Sequence, residues 1–396
     1  MSTSLEPDLS APPTLSRRAA GLRSSVIRDL LKLTERADVL SLAGGLPAPE
    51  TFPMAEFQAA AATHLADPSA VQYSTTEGHR PLRQWIADRS GLAADPDRVL
   101  VTHGSQQALD LIVRALCDPG DPVVADSPGY LGALQVLEAS ECAIVPVPVD
   151  GHGLDTDHLA ALLSGGLRPK LVYTCPTFQN PSGATMPLAR RQALAALADR
   201  YGFVIVEDDP YRALRWAGED QPPISTWTDR GVWLSTFSKT LAPGLRLGWM
   251  VGPEWLVTAA TRLKQSADLH TSTLTQRIAA DLVSRPGWFD AHVDSLVPIY
   301  RDRSRILAAA LRAELGSGIE LTEPDGGMFL WARMPGVDTT ALLPRAVDAG
   351  VAYVPGTAFH SGTDQVNGTE TIRLSFATLT EPDLHEAARR LALALG

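Results

Sequence analysis

Thr236-Phe237-Ser238-Lys239-Thr240-Leu241-Ala242-Pro243-Gly244-Leu245-Arg246-Leu247-Gly248-Trp249 sets one lysine among hydroxyls, seven residues ahead of an arginine, in surroundings otherwise apolar or small. A lysine turns nucleophilic when desolvation or nearby positive charge lowers its pKa, and it then condenses with a carbonyl to a Schiff base. Lys239 is the candidate amine. Arg246 and the hydroxyls of Thr236 and Ser238 offer charge-assisted and neutral hydrogen bonds to a phosphate dianion. Taken alone, the same residues also describe a solvated Pro/Gly turn, so the reading depends on what flanks them.

On either side the stretch runs into short apolar segments, Val232–Ser235 and Leu247–Val251. They close a series of β-like runs: Arg98–Thr102, Pro122–Ala125, Ala143–Val147, Lys170–Thr174 and Phe203–Glu207. Runs of this length without polar alternation, separated by helical stretches such as Ser105–Leu116 and Leu188–Tyr201, predict a mostly parallel sheet covered on both faces. That is a large doubly wound α/β domain. Past about residue 285 the pattern changes to a long helix near Ser295–Leu315 and short strands near Ile319–Leu321, Gly327–Trp331, Val351–Val354 and Thr371–Ser375. With a closing helix near Pro382–Leu395, this reads as a smaller α+β module. Upstream, Val26, Leu30, Leu31 and Leu33 predict a short amphipathic helix over Ser25–Thr34 that carries Arg28 on its polar side. Ser41-Leu42-Ala43-Gly44-Gly45-Leu46-Pro47 is a turn whose small residues let backbone approach a ligand. The expected division is a flexible arm 1–20, a segment 21–50 serving the substrate site and small domain, a large domain 51–285 and a small domain 286–396.

Composition narrows the function classes. A chain of 396 residues with 45% apolar and 20% charged residues can bury two cores. Its formal net charge of -11, without a long Lys/Arg run, argues against nucleic acid or an anionic membrane as partner. Cys117, Cys142 and Cys175 sit in apolar stretches without metal-type spacing and read as reduced core residues. No segment has the ~20 apolar residues of a membrane span or the look of a signal peptide, so the cytoplasm is expected.

Further candidate residues fall at the carboxyl ends of the predicted strands, where α/β sheets place ligands. Gly104-Ser105-Gln106-Gln107 opens a helix, whose N-terminal amides and the Ser105 hydroxyl suit a phosphate; an ordinary N-cap serine reads the same way. Asn180, in Asn180-Pro181-Ser182-Gly183, offers an amide to a phenolate oxygen, or simply builds an Asn-Pro turn. Glu207-Asp208-Asp209-Pro210-Tyr211 puts the Asp208 carboxylate at a strand end, with a phenol three residues on. Buried against a ring nitrogen, such a carboxylate keeps the nitrogen protonated, as an electron-sink cofactor requires. Metal binding and helix capping are the alternatives; no His/Cys/Asp spacing nearby completes a metal set.

Together these elements describe a pyridoxal 5′-phosphate site, and their order resembles the class I aminotransferases of fold type I. Ser41–Pro47, Gln72-Tyr73-Ser74, Gly104–Leu109, Phe178-Gln179-Asn180-Pro181, Asp208–Tyr211, the Lys239 segment and Lys264–Thr271 are most similar to the 2-aminoadipate (LysN-like) and kynurenine/aminoadipate aminotransferase branch. The resemblance runs from about residue 20 to the C-terminus. It implies that Lys239 is the Schiff-base lysine and proton shuttle, that Asp208 partners the pyridine nitrogen, and that Asn180 and Tyr211 hold the ring oxygen. Ser105, Gln106, Thr236, Ser238 and Arg246 would bind the phosphate, and Tyr130 would stack on the ring. Tyr73 would reach the phosphate of a neighbouring subunit, making a homodimer with shared active sites. Arg373 would clamp the substrate α-carboxylate, with Gly45 and Asn180 beside it. Arg28 would read a side-chain carboxylate, unless it is a solvated helix arginine. Two departures are Thr236 where the family has Ser, and His103, expected to be a satisfied structural histidine, where a small residue is common. The implied activity is transamination between an L-amino acid (2-aminoadipate, glutamate, or a branched or aromatic donor) and a 2-oxo acid, 2-oxoglutarate foremost. The same cofactor residues also serve C–S β-elimination or decarboxylation, and similar domains act as non-catalytic sensors fused to DNA-binding modules.

Overall fold

The computed structural model describes residues 14–21, 38–92 and 95–396. Strand β1 (Leu40–Ser41) comes first, and the central sheet then takes β2 (Val99–Thr102), β3 (Pro122–Ser127), β4 (Ala143–Asp150), β5 (Gly153–Leu154), β6 (Leu171–Thr174), β7 (Val204–Asp208), β8 (Gly231–Thr236) and β9 (Gly248–Val251). Their spatial order is β2-β9-β8-β7-β6-β3-β4-β5. Strands β8, β7, β6, β3 and β4 are parallel, whereas β9 runs antiparallel to both β8 and β2. An unalternating apolar run announces burial on both faces but not direction, which is why β9 was indistinguishable from its parallel neighbours.

The two faces are separate cores, sorted by the period of two along each strand. Val123, Tyr173, Val206 and Leu234 meet the helices Ser105–Leu116 and Glu254–Ala267 through Ile112 and Leu256. Their sequence neighbours Val124, Val172 and Ile205 turn the other way, onto Leu159 of helix Thr156–Ser164 and Leu194 of helix Leu188–Tyr201. Side chains buried on both sides hold the sheet between helices and leave the carboxyl ends of its parallel strands as the open edge.

The C-terminal part builds a four-stranded antiparallel sheet in the order β10-β11-β14-β13, from β10 (Glu320–Thr322), β11 (Phe329–Arg333), β13 (Val354–Pro355) and β14 (Thr371–Ser375). Helices Trp288–Leu315 and Glu381–Leu395 pack on it through Leu307, Leu311, Leu384 and Leu391. The long helix begins at Trp288 rather than near Ser295 because its first turns are not part of that core: Phe289 packs edge-on to Trp85 at 5.0 Å in the large-domain interior. One helix thus spans both cores. β1 pairs in parallel with β12 (Val351–Ala352), and Leu42 joins the C-terminal core.

At the N-terminus, Arg17–Gly21 forms a short helix whose exposed Arg17 pairs with Glu141 at 2.7 Å. The predicted helix Ser25–Thr34, and with it Arg28, lies outside the described residues. Cys175 is buried as expected, whereas Cys117 and Cys142 are half-buried; none of the three is bridged.

Asp208 emerges from β7 beside a fully enclosed ion pair. Arg191 Nη1 donates to Glu207 Oε1 at 2.9 Å, and the guanidinium also donates to the carbonyls of Met186 and Pro176 and to Thr177 Oγ1. Glu207 Oε2 accepts from Ile224 N at 2.7 Å. This pair ties β7 to the segment after β6 that carries Asn180. Removing one member strands the other charge without water, so Glu207→Ala should destabilise by ~3–5 kcal/mol. A urea-unfolding midpoint within error of the wild type would show that the pair is energetically idle.

Candidate active site

The open edge of the sheet frames a cavity of about 250 Å³. Gly45, Ser105, Gln106, Tyr130, Asn180, Asp208, Tyr211, Thr236, Ser238, Lys239, Arg246 and Arg373, all singled out from sequence, line it together. Each arrives on a short tether from regular structure. Thr236 ends β8, with Ser238 and Lys239 just beyond it; Asp208 ends β7; Ser105 opens its helix; Arg373 lies in β14.

The floor of the cavity shows why glycines precede and follow the arginine. Gly104 has φ +77, and a Cβ there would sit 2.8 Å from Arg246 Nη2. A Cβ on Gly248 would meet the backbone of Gly104 and Ser105 at 2.4 Å. Both positions exclude side chains, so β9 and the helix N-terminus press together. That contact brings Arg246 Nη2 to His103 O at 3.2 Å, beside the helix amides. Thr236 Oγ1 donates to Leu247 O at 2.7 Å, which commits the threonine proton, so in its 2.8 Å contact with Thr236 Oγ1 it is Ser238 Oγ that donates. An arginine, hydroxyls and a helix N-terminus converging on one spot make an anion site.

Lys239 Nζ donates to Gly45 O at 2.8 Å. Burial, reinforced by the charges of Arg373 and Arg246 and opposed by Asp208, draws its ammonium down to about 8. Asp208 moves the other way: burial raises it to about 6, against the hydrogen bond from Tyr173. Tyr173 Oη donates to Asp208 Oδ2 at 2.8 Å, while Asp208 Oδ1 has no partner among the described residues. Tyr173 was missed in sequence because a tyrosine inside a buried strand reads as core. Across the cavity, Asn180 Nδ2 donates to Tyr211 Oη at 3.2 Å, and Asn180 Oδ1 accepts from Arg373 Nη1 at 3.0 Å. Arg373 Nη2 donates to Ala43 O at 2.7 Å. Tyr130 is half-buried, 3.5 Å from Gln106 Oε1. Phe329, also unforeseen, closes the wall toward the small domain.

One candidate is placed elsewhere. Tyr73 is 77% exposed, edge-on to His270 at 5.8 Å, and does not line the cavity. Arg28 lies outside the described residues. His103 is satisfied as expected: Nδ1 pairs with Asp268 at 2.8 Å, and Asp268 also takes Lys264 Nζ at 2.8 Å. Among the described residues no His/Cys/Asp/Glu cluster could hold a metal ion.

Residues 37–391 match the family model described as aminotransferase class I and II. The chain is 43% identical to aromatic-amino-acid aminotransferase 1 of Thermococcus litoralis over 98% of its own length and 95% of the relative's. Among solved structures it is similar to a kynurenine aminotransferase of Pyrococcus horikoshii in complex with PMP, with TM-score 0.90, 40% identity and 96% of each chain covered. It is also similar to LysN, the α-aminoadipate aminotransferase of Thermus thermophilus, complexed with N-(5′-phosphopyridoxyl)-L-leucine, with TM-score 0.89, 37% identity, and 96% of this chain and 97% of that one covered.

The position of the Lys239 titration is measurable. An amine attacks aldehydes only when neutral, so the rate of adduct formation with pyridoxal in cofactor-free protein should rise with pH and level off above about 8. Arg246→Ala removes a neighbouring cation, which favours the ammonium and should move the inflection to higher pH. A wild-type inflection at the ordinary lysine value of 10.5 would mean the amine is solvated.

Proposed function

The chain belongs to the class I and II aminotransferases, pyridoxal 5′-phosphate-dependent enzymes of amino-acid transamination, and on that premise we propose that Lys239 is the lysine at which the cofactor is anchored and the residue that moves the substrate proton. The observation that carries this reading is one cavity lined by a half-buried amine of lowered pKa and a buried carboxylate oxygen with no partner among the described residues. The residues fit the cofactor: the Arg246 cup suits its phosphate, Asp208 Oδ1 suits a protonated ring nitrogen, and Tyr211 Oη and Asn180 suit a ring oxygen. When bound, pyridoxal 5′-phosphate supplies an aldehyde for amines and a ring that draws electrons from the substrate Cα.

The chain's own part is positioning and proton transfer. Ser105, Gln106, Ser238 and Arg246 hold the phosphate, with Thr236 positioning Ser238; Tyr130 flanks the ring; Asp208, held by Tyr173, keeps the ring nitrogen protonated. Arg373 takes the α-carboxylate in a forked pair, oriented by Asn180 and Ala43 O, with Gly45 alongside. Lys239 Nζ, whose ammonium is drawn down to about 8, accepts the Cα proton in its neutral form and can hand it back. The donor is an L-amino acid with an aromatic, branched or dicarboxylic side chain and the acceptor a 2-oxo acid, 2-oxoglutarate foremost. A cytoplasmic location is supported by three unbridged cysteines.

Borohydride reduction of the loaded protein, followed by peptide mapping, should place the pyridoxyl group on Lys239, and Lys239→Ala should lose both the adduct and at least about a thousandfold in kcat, the loss expected for a proton-transfer group. Label on another lysine would overturn the assignment.

We further propose a homodimer in which Tyr73 completes the partner's phosphate site. Thr273 Oγ1 donates to Gln72 O at 3.2 Å and His270 packs on Tyr73, so these two turns form one ridge bearing the exposed Val71, Tyr73 and Leu269. An apolar ridge near an active-site mouth suits a second copy. Mixing Tyr73→Phe with Lys239→Ala, each nearly inactive alone, should restore activity through hybrid dimers holding one intact site. Full wild-type activity in a demonstrably monomeric sample would sink the shared site.

A further inference from the structure

Arg373 is 1% exposed, yet among the described residues no carboxylate pairs with its guanidinium. Its acceptors are neutral, Asn180 Oδ1 and Ala43 O, and Nε has no partner among the described residues. A cation taken out of water without a counter-ion is costly to hold. Two aromatic rings offset that cost. Arg373 Cζ stands 4.2 Å from the centroid of Phe329 and 5.1 Å from that of Phe359, both rings buried.

The sheet builds this arrangement. In the antiparallel pair β11·β14, Trp331 lies opposite Arg373 and Phe329 opposite Ser375, so Phe329 is the diagonal neighbour of Arg373 on one face. Phe359 comes from the turn Gly356–Phe359, set edge-on to Trp331 at 5.6 Å, with its carbonyl accepting from Gly129 N at 2.8 Å. The second ring is therefore fixed from the small domain and from the loop before Tyr130 together.

Rings and a carboxylate are not equivalent partners for this cation. A carboxylate would occupy the in-plane N–H groups and cancel the charge that a substrate carboxylate needs. An aromatic face attracts the cation through its quadrupole and leaves the in-plane donors open. We propose that Phe329 and Phe359 are positioning residues for α-carboxylate recognition, an aromatic clamp that keeps Arg373 fixed and unpaired until the substrate arrives. This rests on the reading of Arg373 as the carboxylate binder.

Phe359 gives the cleaner test, because Phe329 also lines the cavity and can touch substrate directly. In the loaded enzyme, Phe359→Leu should raise KM for phenylalanine and the Kd of 3-phenylpropionate about three- to thirtyfold, the range of a desolvated cation–π contact. kcat should stay within about twofold and cofactor affinity should be unchanged, because the lost contact acts in binding alone. Phe359→Tyr, which keeps the ring, should restore the wild-type Kd. Phe359→Met, similar in volume without the ring, carries the same expectation if the leucine variant does not accumulate. An unchanged Kd, or equal losses in kcat, cofactor affinity and carboxylate affinity, would overturn the clamp. Arg373→Ala separates the two ideas: if it leaves 3-phenylpropionate affinity unchanged, the carboxylate assignment itself fails, whereas a large loss there with none in Phe359→Leu rejects only the clamp.

Discussion

The site depends on an imbalance of charge around one cavity. Lys239, Arg246 and Arg373 line one cavity with a single carboxylate, Asp208, among the described residues. In a low-dielectric setting such crowding penalises whichever cation can give up its proton, and of the three only the lysine can do so near neutrality. Burial, reinforced by the field of the two arginines, thus draws Lys239 toward its neutral form, and the same field waits for anions. A phosphate at one end and a carboxylate at the other would neutralise it, so ligand binding and amine activation share one electrostatic cause.

Holding that imbalance is the task of the surrounding fold. Gly248 lets β9 lie against the helix N-terminus, which sets Arg246 beside the phosphate-type cup. The enclosed Arg191–Glu207 pair fixes the strand ends carrying Asn180 and Asp208. Arg373 comes from a different sheet altogether and is reached through Asn180. On the proposed role of Arg373, carboxylate recognition spans the packing of the two modules, and a small shift between them would change Arg373 geometry before it changed the phosphate cup.

Much of this was legible in the chain. The strand ends and the lysine motif could be read because short apolar runs mark a buried sheet and because hydroxyls, glycine and cations at their ends have few structural uses in common. The supporting groups were not legible, since Tyr173, Arg191, Glu207 and Phe329 owe their roles to partners tens or hundreds of residues away. Tyr173 meets Asp208 only because β6 and β7 are adjacent and in register. The antiparallel course of β9, and the early start of the helix Trp288–Leu315, were hidden for a related reason: apolar sequence states that a segment is buried, not against which core.

The same accounting bears on which side chains the site can hold. In their proposed roles Arg246 serves the phosphate-type cup, Arg373 an α-carboxylate and Lys239 proton transfer, and beside them Leu46 and Phe329 line the cavity with apolar surface. An aromatic or aliphatic substrate side chain needs nothing more than such walls. A second carboxylate needs another cation, because stranding it costs several kcal/mol. On the proposed reading, the sequence offers Arg28, outside the described residues, for that part.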